Sequence, residues 1–173
     1  LTHPRGSHTA TLLPVGRVLV MGGFDGAGNV LQHEVFEAAS RTWTVAGSLL
    51  VARGRHTATM MPSGRVLVAG GQPNPNVPAA PTAFVESFDP ANGLSVAAGF
   101  LAVARSDHTA TLLPSNQVLV GGGRNGAAAA LASTELYDPT VGQWADSATL
   151  TTARHSHSAT VLLSGEVLVV GGE

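Results

Sequence analysis

The chain has 173 residues, 44% of them hydrophobic, with nine basic and eleven acidic side chains and a formal charge of −2. This supports one folded domain with a sizeable core, and the balanced charge leaves no broad electrostatic footprint for nucleic acid or an anionic membrane. The lack of cysteine excludes disulfides, thiolate metal sites and cysteine nucleophiles, and the longest apolar runs, such as Val18-Leu19-Val20-Met21 and Val167-Leu168-Val169-Val170, are strand-sized, far short of the roughly 20 residues of a membrane helix. All nine basic residues are Arg, and Ala and Gly are abundant, a usage that points to a GC-rich, bacterial coding sequence. No basic stretch followed by an apolar one opens the chain, so no targeting peptide is expected within it and the compartment stays open.

In chain order, the first predicted elements are a Thr- and Leu-rich strand starting at His8-Thr9-Ala10-Thr11, a Pro-containing turn and a Val-Leu-Val strand ending in Gly22-Gly23. The same segment returns at His56, ending in Gly70-Gly71, at His108, ending in Gly122-Gly123, and at His157, ending in Gly171-Gly172; successive starts lie 48, 52 and 49 residues apart. Such a period marks a repeat architecture. Between the copies a second hairpin is predicted: Glu34-Val35-Phe36 to Trp43, then Glu86-Ser87-Phe88-Asp89-Pro90, then Glu135-Leu136-Tyr137-Asp138-Pro139 to Trp144. Asp and Pro favour its turn. An Arg stands three places before each repeat His, at Arg5, Arg53, Arg105 and Arg154. The units therefore run over about 5–52, 53–104 and 105–153, with a half unit at 154–173, and each complete unit has four strands. The Gly pair meets a need for a sharp turn or close backbone approach, and the aromatic positions supply packing area. Strand residues Leu12, Val18, Val20, Leu112, Val118 and Val120 are expected in the core. A helical reading fails: only Gly126 to Leu131 suggests one, and it is too short.

Arg-x-x-His before the first strand, Gly-Gly after the second, aromatic-Asp in the third and Trp in the fourth together resemble the Kelch repeat, over nearly the whole chain. The resemblance implies an all-β fold, a β-propeller built of four-stranded antiparallel blades, about three and a half per chain, whose first strands line a central channel. Two units depart from the pattern: Phe36-Glu37 replaces aromatic-Asp, and Leu94 stands near the expected Trp of the second unit, which should weaken packing there. Kelch rings usually close with five to seven blades, so the unpaired edge of the last hairpin should recruit strands, either from a second copy, giving a dimer that completes the ring, or from the remainder of a longer protein.

The recurring Arg5, Arg53, Arg105 and Arg154 have two readings. In the Kelch family an Arg at this point can stand at the channel mouth and contact acidic peptides, and a guanidinium binds carboxylates bidentately; alternatively each pairs with the equally periodic Glu34, Glu86 or Glu135 as a bridge between strands. Four Arg face three Glu. The histidines His8, His56, His108 and His157 could suggest a metal site, but ligands must converge within roughly 2 Å of one point, and symmetry-related positions lie apart; hydrogen-bonded His packed between repeats is the preferred reading. The variable loops Phe24 to Gln32, Gln72 to Pro81 and Arg124 to Leu131 are where specificity is expected, the Pro-rich run from Pro73 being stiff and extended. Asp25 and Asn29 lack the spacing of a calcium loop.

No Ser-His-Asp set or carboxylate pair breaks the periodicity. The expectation is a non-catalytic protein- or peptide-binding scaffold, without cofactor or metal. A fragment of a galactose-oxidase-like enzyme is the alternative, disfavoured because the chain has no Cys and one Tyr, Tyr137; an excised or engineered propeller fragment with no role of its own is the third reading.

Overall fold

A computed structural model describes residues 1–26, 28–73, 81–127 and 129–173. The Pro-rich run expected to be stiff falls almost wholly outside them. Each repeat folds as a meander, because its alternating β-branched residues suit a strand with two buried faces and its turn residues reverse the chain between them. Sheet 1 has the order β1 (Thr9–Leu13), β2 (Arg17–Met21), β3 (Gln32–Glu37), β4 (Thr42–Ser48). Sheet 2 repeats it with β5 (Thr57–Met60), β6 (Val66–Ala69), β7 (Phe84–Asp89) and β8 (Leu94–Phe100), and sheet 3 with β9 (Thr109–Leu112), β10 (Val118–Gly121), β11 (Thr134–Asp138) and β12 (Gln143–Asp146). A two-stranded hairpin, β13 (Ser158–Val161) and β14 (Val167–Val170), ends the series. All pairings are antiparallel and no sheet closes on itself.

The register is the same in each unit: Val20 faces Glu34, Val68 faces Glu86 and Val120 faces Glu135. The third-to-fourth strand turns of sheets 2 and 3 are fixed by their aspartates, Asp89 Oδ1 accepting from the Ala91 amide and Asp138 Oδ1 from the Thr140 amide, both at 2.9 Å.

The sheets stack face to face in chain order, first strand beside first strand, and the core lies between them. Leu13, Leu19, Met21 and Val35 of sheet 1 meet Val66, Val68 and Phe88 of sheet 2; Leu67, Ala69 and Val85 of sheet 2 meet Val118, Val120 and Tyr137 of sheet 3. Successive residues on a strand thus serve successive interfaces. Val20, Val118 and Val120 are buried as expected, while Val18 and Leu112 are half-buried. Leu12 is a correction: it is 70% exposed. Its counterparts Met60 and Leu112 pack against the preceding sheet, and Leu12 has no preceding sheet among the described residues. In the second unit, Ser95 rather than Leu94 stands opposite Phe88, where Trp43 and Trp144 stand opposite Phe36 and Tyr137.

Candidate functional site: the end where the first strands begin

The recurring Arg is a clamp within its own unit. Arg53 donates from Nη1 to the carbonyls of Gly70 (2.9 Å) and Phe84 (2.6 Å), from Nε to Val51 (3.0 Å), and from Nη2 to Glu86 Oε1 (3.0 Å). Arg105 repeats this with Gly122, Ser133, Val103 and Glu135, the last at 2.8 Å. Arg5 reaches Gly22, Gln32 and Glu34. Each glutamate also accepts from the incoming linker: Leu50 N to Glu86 at 2.7 Å, Ala102 N to Glu135 at 2.6 Å, and Thr2 to Glu34. The clamp ties the linker to the second and third strands. Of the two readings of these residues, the bridge describes Arg5, Arg53 and Arg105, whose guanidinium groups are fully buried against carboxylates. Arg154 donates to the Thr152 and Gly171 carbonyls and has no carboxylate partner among the described residues.

Burial acts against both charges of a clamp, lowering Arg53 and raising Glu86 from their ordinary values while their mutual attraction opposes it. At Glu34, burial also pushes upward, but hydrogen bonds from Thr2, His3 and Arg5 outweigh it and hold the carboxyl at about 2.

The recurring histidines cross the interfaces. His56 Nε2 meets Thr9 Oγ1 at 3.0 Å, His108 meets Thr57 at 3.0 Å, and His157 meets Thr109 at 2.9 Å. Burial, helped by the neighbouring Arg charge, lowers His56 and His108 to about 3, so they are neutral imidazoles. His8, on the outer face of sheet 1, is exposed and its Nδ1 lies 3.1 Å from the Arg5 carbonyl. One His per interface does not converge, and among the described residues no group of three His, Cys, Asp or Glu could hold a metal ion. The Gly pairs complete the lattice. A Cβ on Gly70 would lie 2.5 Å from the Arg105 carbonyl, and one on Gly122 would lie 2.6 Å from that of Arg154, so the next unit's backbone occupies the space that a side chain would need.

The residue before each His was not singled out in the sequence. Ser7, Arg55, Asp107 and Ser156 all have φ of 54–55°, a left-handed conformation that costs roughly 1–2 kcal/mol for a non-glycine residue. A backbone chain holds them there: Arg55 N donates to Ser7 O (2.9 Å), Asp107 N to Arg55 O (3.2 Å) and Ser156 N to Asp107 O (2.9 Å). The backbone is periodic while the side chains are not. At the centre of this row Asp107 Oδ2 accepts from Arg124 Nε at 2.8 Å and from Ser106 Oγ at 3.1 Å, with Arg55 Nη1 at 3.8 Å. The side chains of Arg55, Arg124 and Asp107 are 37%, 29% and 17% exposed.

Arg124 follows the Gly122-Gly123 pair and is bridged to Ser106, as Phe24 is to Gly6 and Gln72 to Gly54. The three variable loops therefore leave from this same end. Two guanidinium groups beside one carboxylate give these three side chains a net positive charge, with N–H groups that Asp107 does not use, suited to an anionic group. The sequence signal was available: Ser, Arg, Asp and Ser stand between a constant Arg and a constant His.

No protein-family model matches the chain, and no curated protein matches it significantly.

Proposed function

We propose that the chain is an arc of a Kelch-type β-propeller that works by binding rather than catalysis, with its contacts at the end where the first strands begin. The observation that carries this reading is the Arg55–Asp107–Arg124 cluster: it breaks the repeat, is partly exposed, and two of its residues, Arg55 and Asp107, sit on backbone held in a strained conformation by hydrogen bonds. Acidic peptides are the partner class it suits, since a carboxylate can accept from the guanidinium N–H groups that Asp107 leaves unused. The periodic Arg and His residues serve the scaffold. An array of acidic and neutral peptides tests the reading. Binding of acidic members that weakens on Arg55→Ala or Arg124→Ala, without loss of thermal stability, supports it; an array with no binder above background, or binding indifferent to both substitutions, contradicts it.

Self-association is a second reading, favoured by the mismatch between the end faces. On the terminal hairpin a Cβ at Gly171 meets nothing, and Leu168 and Val170 are exposed; on sheet 1, His8 and Leu12 are exposed. These are the two sides that meet at each internal interface. A second copy supplies the missing side head to tail, as would further units of a longer chain. Light scattering giving about twice 17.5 kDa supports the dimer; a concentration-independent monomer contradicts it.

A further inference from the structure

The two internal sheet interfaces should be alike by repeat, and on the side of the fourth strands they are not. Between sheets 1 and 2 the backbones touch: a Cβ on Gly47 would lie 2.4 Å from the Gly93 carbonyl, and Ser95 Oγ donates to the Ser48 carbonyl at 3.0 Å. Between sheets 2 and 3 the equivalent glycines are Gly99 and Gly142. A Cβ on Gly99 would meet only the Trp144 ring, at 3.4 Å, and one on Gly142 would meet nothing within 4 Å. Trp144 occupies the place of Ser95, packs against the second core cluster and donates from Nε1 to the Ala98 carbonyl at 3.2 Å. It acts as a wedge. The sheets part beside it, leaving a cleft of about 410 Å³, within the size range of small-molecule sites.

The cleft has an apolar wall, including Met61, Val96, Ala98 and Pro139, and a polar side formed by Arg65 and Tyr137. Tyr137 is the chain's one tyrosine. Its ring is accounted for by the repeat, since Phe36 and Phe88 hold the equivalent places, but its hydroxyl is not. The residue is only 6% exposed and lines the cleft. Burial raises its pKa, so it remains a donor through neutral pH. Arg65 is held in place by Nε to Ser87 Oγ (2.8 Å), Nη2 to the Ser87 carbonyl (2.7 Å) and Nη1 to Asp89 (3.3 Å). Three of a guanidinium's five N–H groups are thereby used.

We propose that this cleft binds a small organic carboxylate with an aromatic or branched aliphatic body, the carboxylate accepting from the Tyr137 hydroxyl and the Arg65 guanidinium. The body lies on the apolar wall. Binding here is separate from binding at the Arg55–Asp107–Arg124 cluster, so one can fail without the other.

The test is an amide NMR titration of the whole chain with benzoate and 3-methylbutanoate, using benzamide as the uncharged control, on the native chain and on Tyr137→Phe. That substitution restores the residue found in the other two units, so folding is preserved. The expected result is saturable shifts centred on Gly99, Tyr137 and Gly142 for at least one carboxylate, weaker shifts for benzamide, and affinity reduced roughly tenfold in Tyr137→Phe, as for loss of a hydrogen bond to a charged group. Absence of saturable shifts at these residues for both carboxylates, or equal affinity in Tyr137→Phe, overturns the proposal.

Discussion

The interior units and the terminal half unit carry the same residues in different surroundings. Arg53 and Arg105 are enclosed, each ion-paired to a glutamate of its own third strand; Arg154 keeps its bond to the Gly171 carbonyl but has no carboxylate partner among the described residues. Gly70 and Gly122 are pressed against the next unit's carbonyl, and Gly171 meets nothing. Leu19 and Leu67 are buried, and Leu168, at the same place in the terminal hairpin, is 46% exposed. Identical letters in a repeat therefore do unequal energetic work. A residue's contribution depends on the third strand of its own unit and on the sheet that follows, as expected for an array stabilised through neighbouring units.

The largest test of this contrast places a charge in each environment. Leu67→Asp should destabilise by at least about 4 kcal/mol, because an unpaired carboxylate is forced between two sheets. Leu168→Asp should stay within about 0.5 kcal/mol at concentrations where the chain is monomeric. Urea denaturation of the two variants measures the difference.

Acidification sharpens the comparison next. His33, buried beside Phe88, and the interface pair His56 and His108 are each lowered to about 3 by burial, with neighbouring Arg charge adding to it. Their unfolded counterparts take up a proton near pH 6.5. The unfolded chain thus binds more protons between these values, and stability should be full above about pH 6.5 and fall as pH drops toward 3, by up to about 1.4 kcal/mol per pH unit for each histidine. His56→Gln should flatten the pH dependence of the denaturation midpoint.

Smallest is the cross-sheet hydroxyl. Thr57→Val leaves His108 Nε2 without its partner and should cost about 1–2 kcal/mol. Ser158→Ala, at the matching place on the terminal hairpin, should cost less than about 0.5 kcal/mol in the monomer. Thermal melts of the pair read the difference.

The four-strand unit, its phasing and the Arg–Glu pairing were legible in the sequence because they rest on residue types that recur at fixed spacing. Arg53 and Glu86 could be matched before their geometry was known. Leu12 was misplaced because its place in the repeat matches that of Met60 and Leu112 while its burial depends on a preceding sheet. The left-handed row Ser7, Arg55, Asp107 and Ser156 escaped notice because none of these is the glycine that usually marks such a backbone; only the chain of hydrogen bonds between units explains how Arg and Asp tolerate it. The cleft was hidden for a third reason. Leu94 near the expected Trp reads as weakened packing; Ser95 is the residue at that place, and it lets the fourth strands touch, while the regular Trp144 holds them apart.

The most direct measurement compares Arg53→Gln with Arg154→Gln by urea denaturation of the monomeric chain. Removing Arg53 strands a buried Glu86 carboxylate and should cost about 3–5 kcal/mol, while removing Arg154 should cost less than about 0.5 kcal/mol. Equal losses would contradict the account, since the worth of the repeated Arg would then lie in the residue itself and not in the carboxylate of the third strand that completes its clamp.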